Sequence, residues 1–327
     1  MYTIDELQKI LNAELQKRSS ELDTQKPAGL YSPIRYSLDA GGKRLRPVLL
    51  LMAYNLFHED IESALPAALA IEVFHNFTLL HDDIMDKSEV RRNSPTVHVK
   101  YGENSAILSG DAMAFLSYRY LMEENSLRMS DVLELFTQTA LEVCEGQQFD
   151  MEYESREIVS EAEYLEMIRL KTAVLLGCSL KCGALLANST YKIANHLYDL
   201  GINLGLAFQI QDDWLDAFGE SEYFGKRIGG DIIAGKQSYP LVKAIELADD
   251  QTKQQLRKVL ADEKLPAGKK IESVLEIYNQ LEIKDLAFEK IQTLFLNAEN
   301  ILQQIDLAEP RKSKFYELMV QMQKRSH

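Results

Sequence analysis

Apolar residues recur every three or four positions along almost the whole chain, which is the spacing of one stripe on an α-helix. Ile4, Leu7, Leu11 and Leu15 follow it, as do Val132, Leu135, Phe136 and Thr139. The alternation of a half-buried strand is not evident, and neither is an Asn-Gly hairpin turn. Glycine and proline gather at a few breaks: Pro27 to Gly29, Gly41-Gly42, Asn93 to Pro95, Gly229-Gly230 and Pro266 to Gly268. None of these is a long linker. Hydrophobic residues make up 46% of the 327, which supports a packed core and argues against disorder. The pattern predicts one all-α domain over residues 1–327, with roughly ten or more helices of ordinary length.

Two aspartate triads of the same spacing interrupt this apolar pattern. They are Asp82-Asp83-x-x-Asp86 and Asp212-Asp213-x-x-Asp216. On a helix, Asp82 and Asp86 project from one face, and so do Asp212 and Asp216, where like charges repel. Carboxylates in apolar surroundings call for a partner or a metal. With no His or Cys set beside them, the hard oxygens favour Mg²⁺, which takes one or two carboxylates plus substrate phosphates. His75 lies on the Asp82–Asp86 face at helical spacing. Gly201, Gly205 and Gln209 extend the Asp212–Asp216 face. Their glycines imply close approach either of another helix or of a ligand.

The net charge of −14 argues against general attraction to nucleic acid or anionic membranes. An anionic ligand therefore needs a local basic cluster, and several are present. Gly41-Gly42-Lys43-Arg44-Leu45-Arg46-Pro47 precedes an apolar helix, Arg91-Arg92 follows the first triad, and Lys171-Thr172 opens the most apolar run. Lys226 and Lys236 flank Gly229-Gly230 after the second triad. Arginine can grip phosphate through two parallel hydrogen bonds. Three sparse cysteines fit a reducing cytoplasm. The acidic amphipathic start does not read as a secretory signal. The run from Thr172 to Asn188 is short for a membrane span and carries Lys181, so it reads as a buried helix rather than a stable membrane insertion.

Taken together, GGKRLRP, HDDIMDKSEVRR, GQQFD, Lys171-Thr172, FQIQDDWLD and GKRIGGDIIAGK resemble the trans-isoprenyl diphosphate synthases, the polyprenyl synthetase family, in order and separation. The resemblance implies an all-α bundle around a deep central cavity, usually a homodimer. It implies Mg²⁺, about three ions per site, held mainly by Asp82, Asp86 and Asp212 with Asp83 and Asp216 in support. The allylic diphosphate would be held by Arg91, Lys171, Lys226 and Lys236, and isopentenyl diphosphate by Lys43, Arg46, His75 and Arg92. Thr172, Gln209, Gln147 and Asp150 would line the allylic chamber. Asn93 departs from a common family glycine and Ser238 from a common threonine.

The implied chemistry is ionisation of an allylic diphosphate, attack of the isopentenyl double bond on the allylic cation, and loss of a proton. No Ser/His/Asp or Cys/His nucleophile set is evident. Phe77 lies five residues before Asp82, roughly 7.5 Å along a helix axis. With Thr78 and Phe74 it is the expected floor of the product pocket. In the resembling family such an aromatic accompanies a short product, here C20 with C15 the next expectation. The other readings are a class I terpene cyclase, a longer-chain synthase and a regulatory subunit. The second DDxxD triad and the separate basic site weigh against the cyclase, and the complete set of aspartates and lysines weighs against the subunit.

Overall fold

The computed structural model describes residues 1–123, 126–219, 229–262 and 264–324. Its regular structure is almost all helical, as the periodicity predicts. Among the described residues, strand structure is confined to a two-residue ladder, β1 (Val90–Arg91) against β2 (Ser94–Pro95). Strands of two residues leave no alternation in the sequence, so this hairpin is not evident there. Its turn residues, Arg92 and Asn93, both have positive φ, 51° and 62°. Asparagine tolerates that left-handed backbone, so Asn93 serves where glycine would otherwise be favoured.

The contacts divide the chain into two compact units, each assembled from separated stretches. The divisions after residues 136, 177, 197 and 314 fall inside helices, so no linker marks them in the sequence.

The first unit comprises Met1–Phe136, Cys178–Leu197 and Leu307–Lys314. Its helices are α1 (Ile4–Glu21), α2 (Ala28–Asp39), α3 (Leu45–Asn55), α4 (Leu65–Met85), α5 (Val97–Tyr101) and α6 (Glu103–Leu121), with the start of α7 (Met129–Glu154). Helix α1 opens with a capping box in which Thr3 and Glu6 satisfy each other's backbone N–H. Helix α4 packs against α3 and, most extensively, α6. Its first half is apolar apart from Glu72, and Ala67 through Phe74 are all buried. Each fully buried Leu, Ile or Phe contributes roughly 1.5–3 kcal/mol, so this half fixes the helix and its polar end is carried along. By length and composition Glu62–Met85 could cross a membrane, but 61% of the qualifying window is buried in protein. Cys178 and Cys182 are buried free thiols, as expected of small core residues.

The second unit comprises Thr137–Gly177, Tyr198–Asp306 and Phe315–His327. It holds most of α7, α8 (Glu161–Ile168), a π-helical turn at Arg169–Ala173, the start of α9 (Val174–Leu186) and most of α10 (Tyr191–Phe218). The short α11 (Gly230–Ala234) follows, then α12 (Tyr239–Leu247), α13 (Asp250–Ala261), α14 (Ala267–Gln280), α15 (Ile283–Gln304) and the end of α16 (Glu309–Gln323). A core of Ala217, Ile232, Leu241, Ala244, Ile245, Leu256, Val274, Ile277, Tyr278 and Ile283 joins α10 through α15.

Glu161 ties α8 to α12 and α15. It accepts from Lys243 at 2.8 Å, Lys290 at 3.0 Å and Tyr239 at 3.1 Å. Burial pushes its carboxyl up, but the hydrogen bonds and charges of Lys243 and Lys290 outweigh burial and hold it at about 2. A depressed folded pKa stabilises above the unfolded value near 4.5 and is lost as pH falls toward 2. Glu161→Gln is therefore expected to lower stability by about 1–2 kcal/mol at pH 7. Thermal unfolding of the two proteins across pH should show the gap narrowing between about pH 4.5 and 2. A gap that does not change with pH would show the charge contributes nothing.

Candidate active site

The end of α4 carries the first triad. The helix stops where Asp86 takes the C-cap position and Lys87 turns left-handed at φ 52°. Asp83 is 4% exposed, Asp82 is half-buried and Asp86 is exposed. The following hairpin folds Arg91 back onto them. Its Nε donates to Asp83 at 2.7 Å and a terminal nitrogen donates to Asp82 at 3.3 Å. Burial raises the Asp83 carboxyl, and the Arg91 charge and hydrogen bond pull it partly back.

One face further down α4, His75 meets the basic turn before α3. A terminal nitrogen of Arg46 lies 3.2 Å from His75 Nε2. Arginine can only donate, so Nε2 accepts and the ring proton sits on Nδ1. Burial, then the charges of Arg46, Arg92, Arg91 and Arg44, holds His75 well below its ordinary pKa, as neutral imidazole. Arg92 bonds the carbonyl of Gly41, and a Cβ on Gly42 would lie 2.8 Å from its guanidinium carbon. The guanidinium could move aside, but Gly42 also has φ 134°, a conformation that favours glycine. Lys43 lies exposed on the same turn.

Phe77, the expected floor residue, is half-buried in an aromatic row. Its centroid is 4.9 Å from His81 and 5.4 Å from Phe74. Phe74 packs on Phe136 at 5.2 Å, and Phe136 on Tyr118 at 5.0 Å. Thr78 turns its hydroxyl back to the His75 carbonyl at 2.8 Å.

The second unit places Gln147, Asp150, Lys171, Thr172, Gln209, Asp212, Asp216 and Lys236. Lys171 and Thr172 sit in the π-helical turn, where Lys171 Nζ pairs with Asp150. A Cβ on Gly146 would lie 2.2 Å from the Lys171 backbone nitrogen, so this backbone approach excludes any side chain at 146. The neighbouring Gln147 keeps a buried amide nitrogen without a hydrogen-bond partner. Thr172 donates to Gln209 at 3.0 Å, and Gln209 donates to Asp213 at 3.1 Å. Gly201 and Gly205 meet the backbone of Gly177 and Ala173, each within 2.6 Å of an added Cβ. The glycine stripe therefore records helix packing and not a ligand.

Asp213 was not among the expected site residues, yet it is buried with three protein donors on its carboxylate. It accepts from the Tyr164 hydroxyl, from the Tyr239 backbone N–H at 2.8 Å and from Gln209. Burial and the nearby charge of Asp231 raise it to about 7 against those hydrogen bonds. Asp216 accepts from the Asp231 N–H at 2.9 Å, at the start of α11. Lys236 follows α11, its N–H bonded to the Asp231 carbonyl at 3.0 Å. Lys226 lies outside the described residues.

Among the described residues, no three His, Cys, Asp or Glu side chains gather to hold a metal by themselves. Both triads offer hard oxygens. Asp82, Asp83 and Asp216 each accept a protein hydrogen bond. Each triad taken by itself fits a cation that completes its shell with phosphate oxygens, as Mg²⁺ does.

Comparison with known proteins agrees with this geometry. A family model described as polyprenyl synthetase matches residues 27–280. The chain belongs to the polyprenyl synthetase family. Among its relatives in the family is a geranylgeranyl diphosphate synthase of Methanosarcina mazei, 42% identical over 243 residues, 71% of this chain and 75% of that one. A short chain isoprenyl diphosphate synthase of Methanocaldococcus jannaschii is 41% identical over 266 residues, 80% and 81% of the two chains. A crystal structure of a geranylgeranyl pyrophosphate synthase superposes with TM-score 0.93 at 41% identity, covering 100% of both chains.

Proposed function

We propose that this polyprenyl synthetase is a cytoplasmic prenyltransferase that condenses isopentenyl diphosphate with an allylic diphosphate to give a short all-trans prenyl diphosphate, C20 or next C15. The observation that carries the reading is the cluster on α4 and its flanking turns. There one helix presents Asp82, Asp83 and Asp86 beside Arg91, and neutral His75 beside Arg46 and Arg92. A carboxylate site for a metal–diphosphate and a separate cationic site are the two binding functions a condensation of two diphosphates requires.

Mg²⁺ would be held by Asp82, Asp86 and Asp212, with Asp83 and Asp216 in support, and when bound would neutralise the departing diphosphate. Arg91, Lys171, Lys226 and Lys236 would add cationic donors to the allylic diphosphate. Lys43, Arg46, Arg92 and His75 would fix isopentenyl diphosphate, the neutral imidazole giving its Nδ1 proton as a hydrogen-bond donor. The allylic C–O bond breaks and its electron pair leaves with the diphosphate. The isopentenyl double bond then forms the new C–C bond, and a proton leaves to the diphosphate. Thr172, Gln209 and nearby carbonyl dipoles would stabilise the developing positive charge.

The reading assigns product length to Phe77 in its aromatic row, and two of the relatives are named for geranylgeranyl and short-chain products. Chromatography of products from labelled isopentenyl diphosphate tests both claims. Wild type is expected to incorporate label into C20, and Phe77→Ala into longer chains by at least one C5 unit. A cyclic hydrocarbon without incorporated label would indicate the cyclase reading, and an unchanged length in Phe77→Ala would remove Phe77 as the floor.

Assembly as a homodimer belongs to the same proposal. On α6 and just after it, Leu108, Phe115 and Met122 repeat every seven residues and are 60%, 77% and 61% exposed. An apolar heptad stripe on a helix suits a self-complementary contact with a second copy. Sedimentation should give a dimer for wild type and a folded monomer for Phe115→Glu. A dimer that persists in the variant would place the contact elsewhere.

A further inference from the structure

We infer that Arg44, although it stands in the middle of the basic turn, is a positioning residue that sets Lys43 and Arg46 for isopentenyl diphosphate and does not itself bind phosphate. The inference rests on the prenyltransferase reading above. Arg44 is 6% exposed, and each nitrogen of its guanidinium is engaged inside the protein. Nε donates to Asn12 of α1 at 3.3 Å, one terminal nitrogen to the Leu38 carbonyl at the end of α2 at 2.8 Å, and the other to Glu72 of α4.

Glu72 is 2% exposed and sits one turn below His75 in an otherwise apolar segment. Asn76 holds the same carboxylate at 2.9 Å, so Glu72 has no freedom to swing away. The pair therefore joins the turn to the helix that carries His75 and the first triad. Around it the flanking groups are set. Gln8 donates to the Lys43 carbonyl at 2.9 Å, and Arg46 meets His75 at 3.2 Å. Arg44 itself is left-handed at φ 50°, a conformation a non-glycine residue keeps only when its surroundings hold it. Lysine cannot reach three separate acceptors with one ammonium, so the arginine fork is what the site uses.

The test is steady-state kinetics with each substrate varied, together with calorimetric binding of isopentenyl diphosphate alone. Arg44→Lys is expected to raise KM for isopentenyl diphosphate tenfold or more and weaken its binding in parallel, with KM for the allylic substrate within twofold of wild type. The double variant R44M/E72M removes both buried charges and keeps apolar volume, so its thermal midpoint should approach wild type. Its KM for isopentenyl diphosphate should stay raised. The inference is overturned if Arg44→Lys leaves that KM unchanged, if both KM values rise together, or if the double variant recovers stability and KM alike. A wild-type chain that neither turns over nor binds isopentenyl diphosphate overturns the underlying reading instead.

Discussion

Charge compensation along α4 is the constraint on which the first unit depends. This helix is buried by its apolar half, yet it carries Glu72, His75 and three aspartates. Four of these groups are compensated in three ways. Glu72 has the buried fork of Arg44, and Asp82 and Asp83 have Arg91. His75 gives up its charge among the arginines. Removing one partner of a buried pair such as Arg44–Glu72 typically costs 3–5 kcal/mol, more than a single surface contact could return. The turns that supply these arginines are therefore as much part of the helix's stability as of the site.

The second unit solves the same problem with hydroxyls and amides. Asp213 is buried without an arginine, and Tyr164, Tyr239 and Gln209 share its oxygens. That arrangement ties α8, α10 and α12 together and leaves its neighbours Asp212 and Asp216 half-buried. The π-helical turn at Arg169–Ala173 inserts Lys171 and Thr172 beside the bare backbone of Gly146. π-turns break the regular ladder and often mark functional positions, where they redirect side chains that a continuous helix would aim elsewhere.

Much of this was legible in the sequence because it follows from spacing. The apolar period gave the helices, and the first triad with the basic runs at Lys43 to Arg46 and Arg91-Arg92 gave the residues placed on α4 and its flanking turns. What escaped depends on contacts distant in sequence. Nothing local distinguishes Arg44, which turns inward, from Arg46, which meets His75. Glu72 is the one trace: an isolated acid inside LPAALAIEVF has to have a buried partner. Gly201 and Gly205 were equally compatible with a ligand or a helix, and only the backbone of Gly177 and Ala173 decides. Asp213 was passed over because its triad neighbours share its chemistry while its burial is set by tyrosines 49 and 26 residues away.

In the proposed reaction the carboxylates of the first triad would hold a metal–diphosphate and not a bare metal. Arg91 already engages Asp82 and Asp83, and no three-ligand cage exists among the described residues. Calorimetric titration of Mg²⁺ with and without inorganic pyrophosphate reads this directly, after subtraction of Mg²⁺ binding to pyrophosphate itself. The account predicts weak Mg²⁺ binding to the protein alone and much tighter binding when pyrophosphate is present. Tight Mg²⁺ binding by the protein alone, unchanged by pyrophosphate, would contradict it.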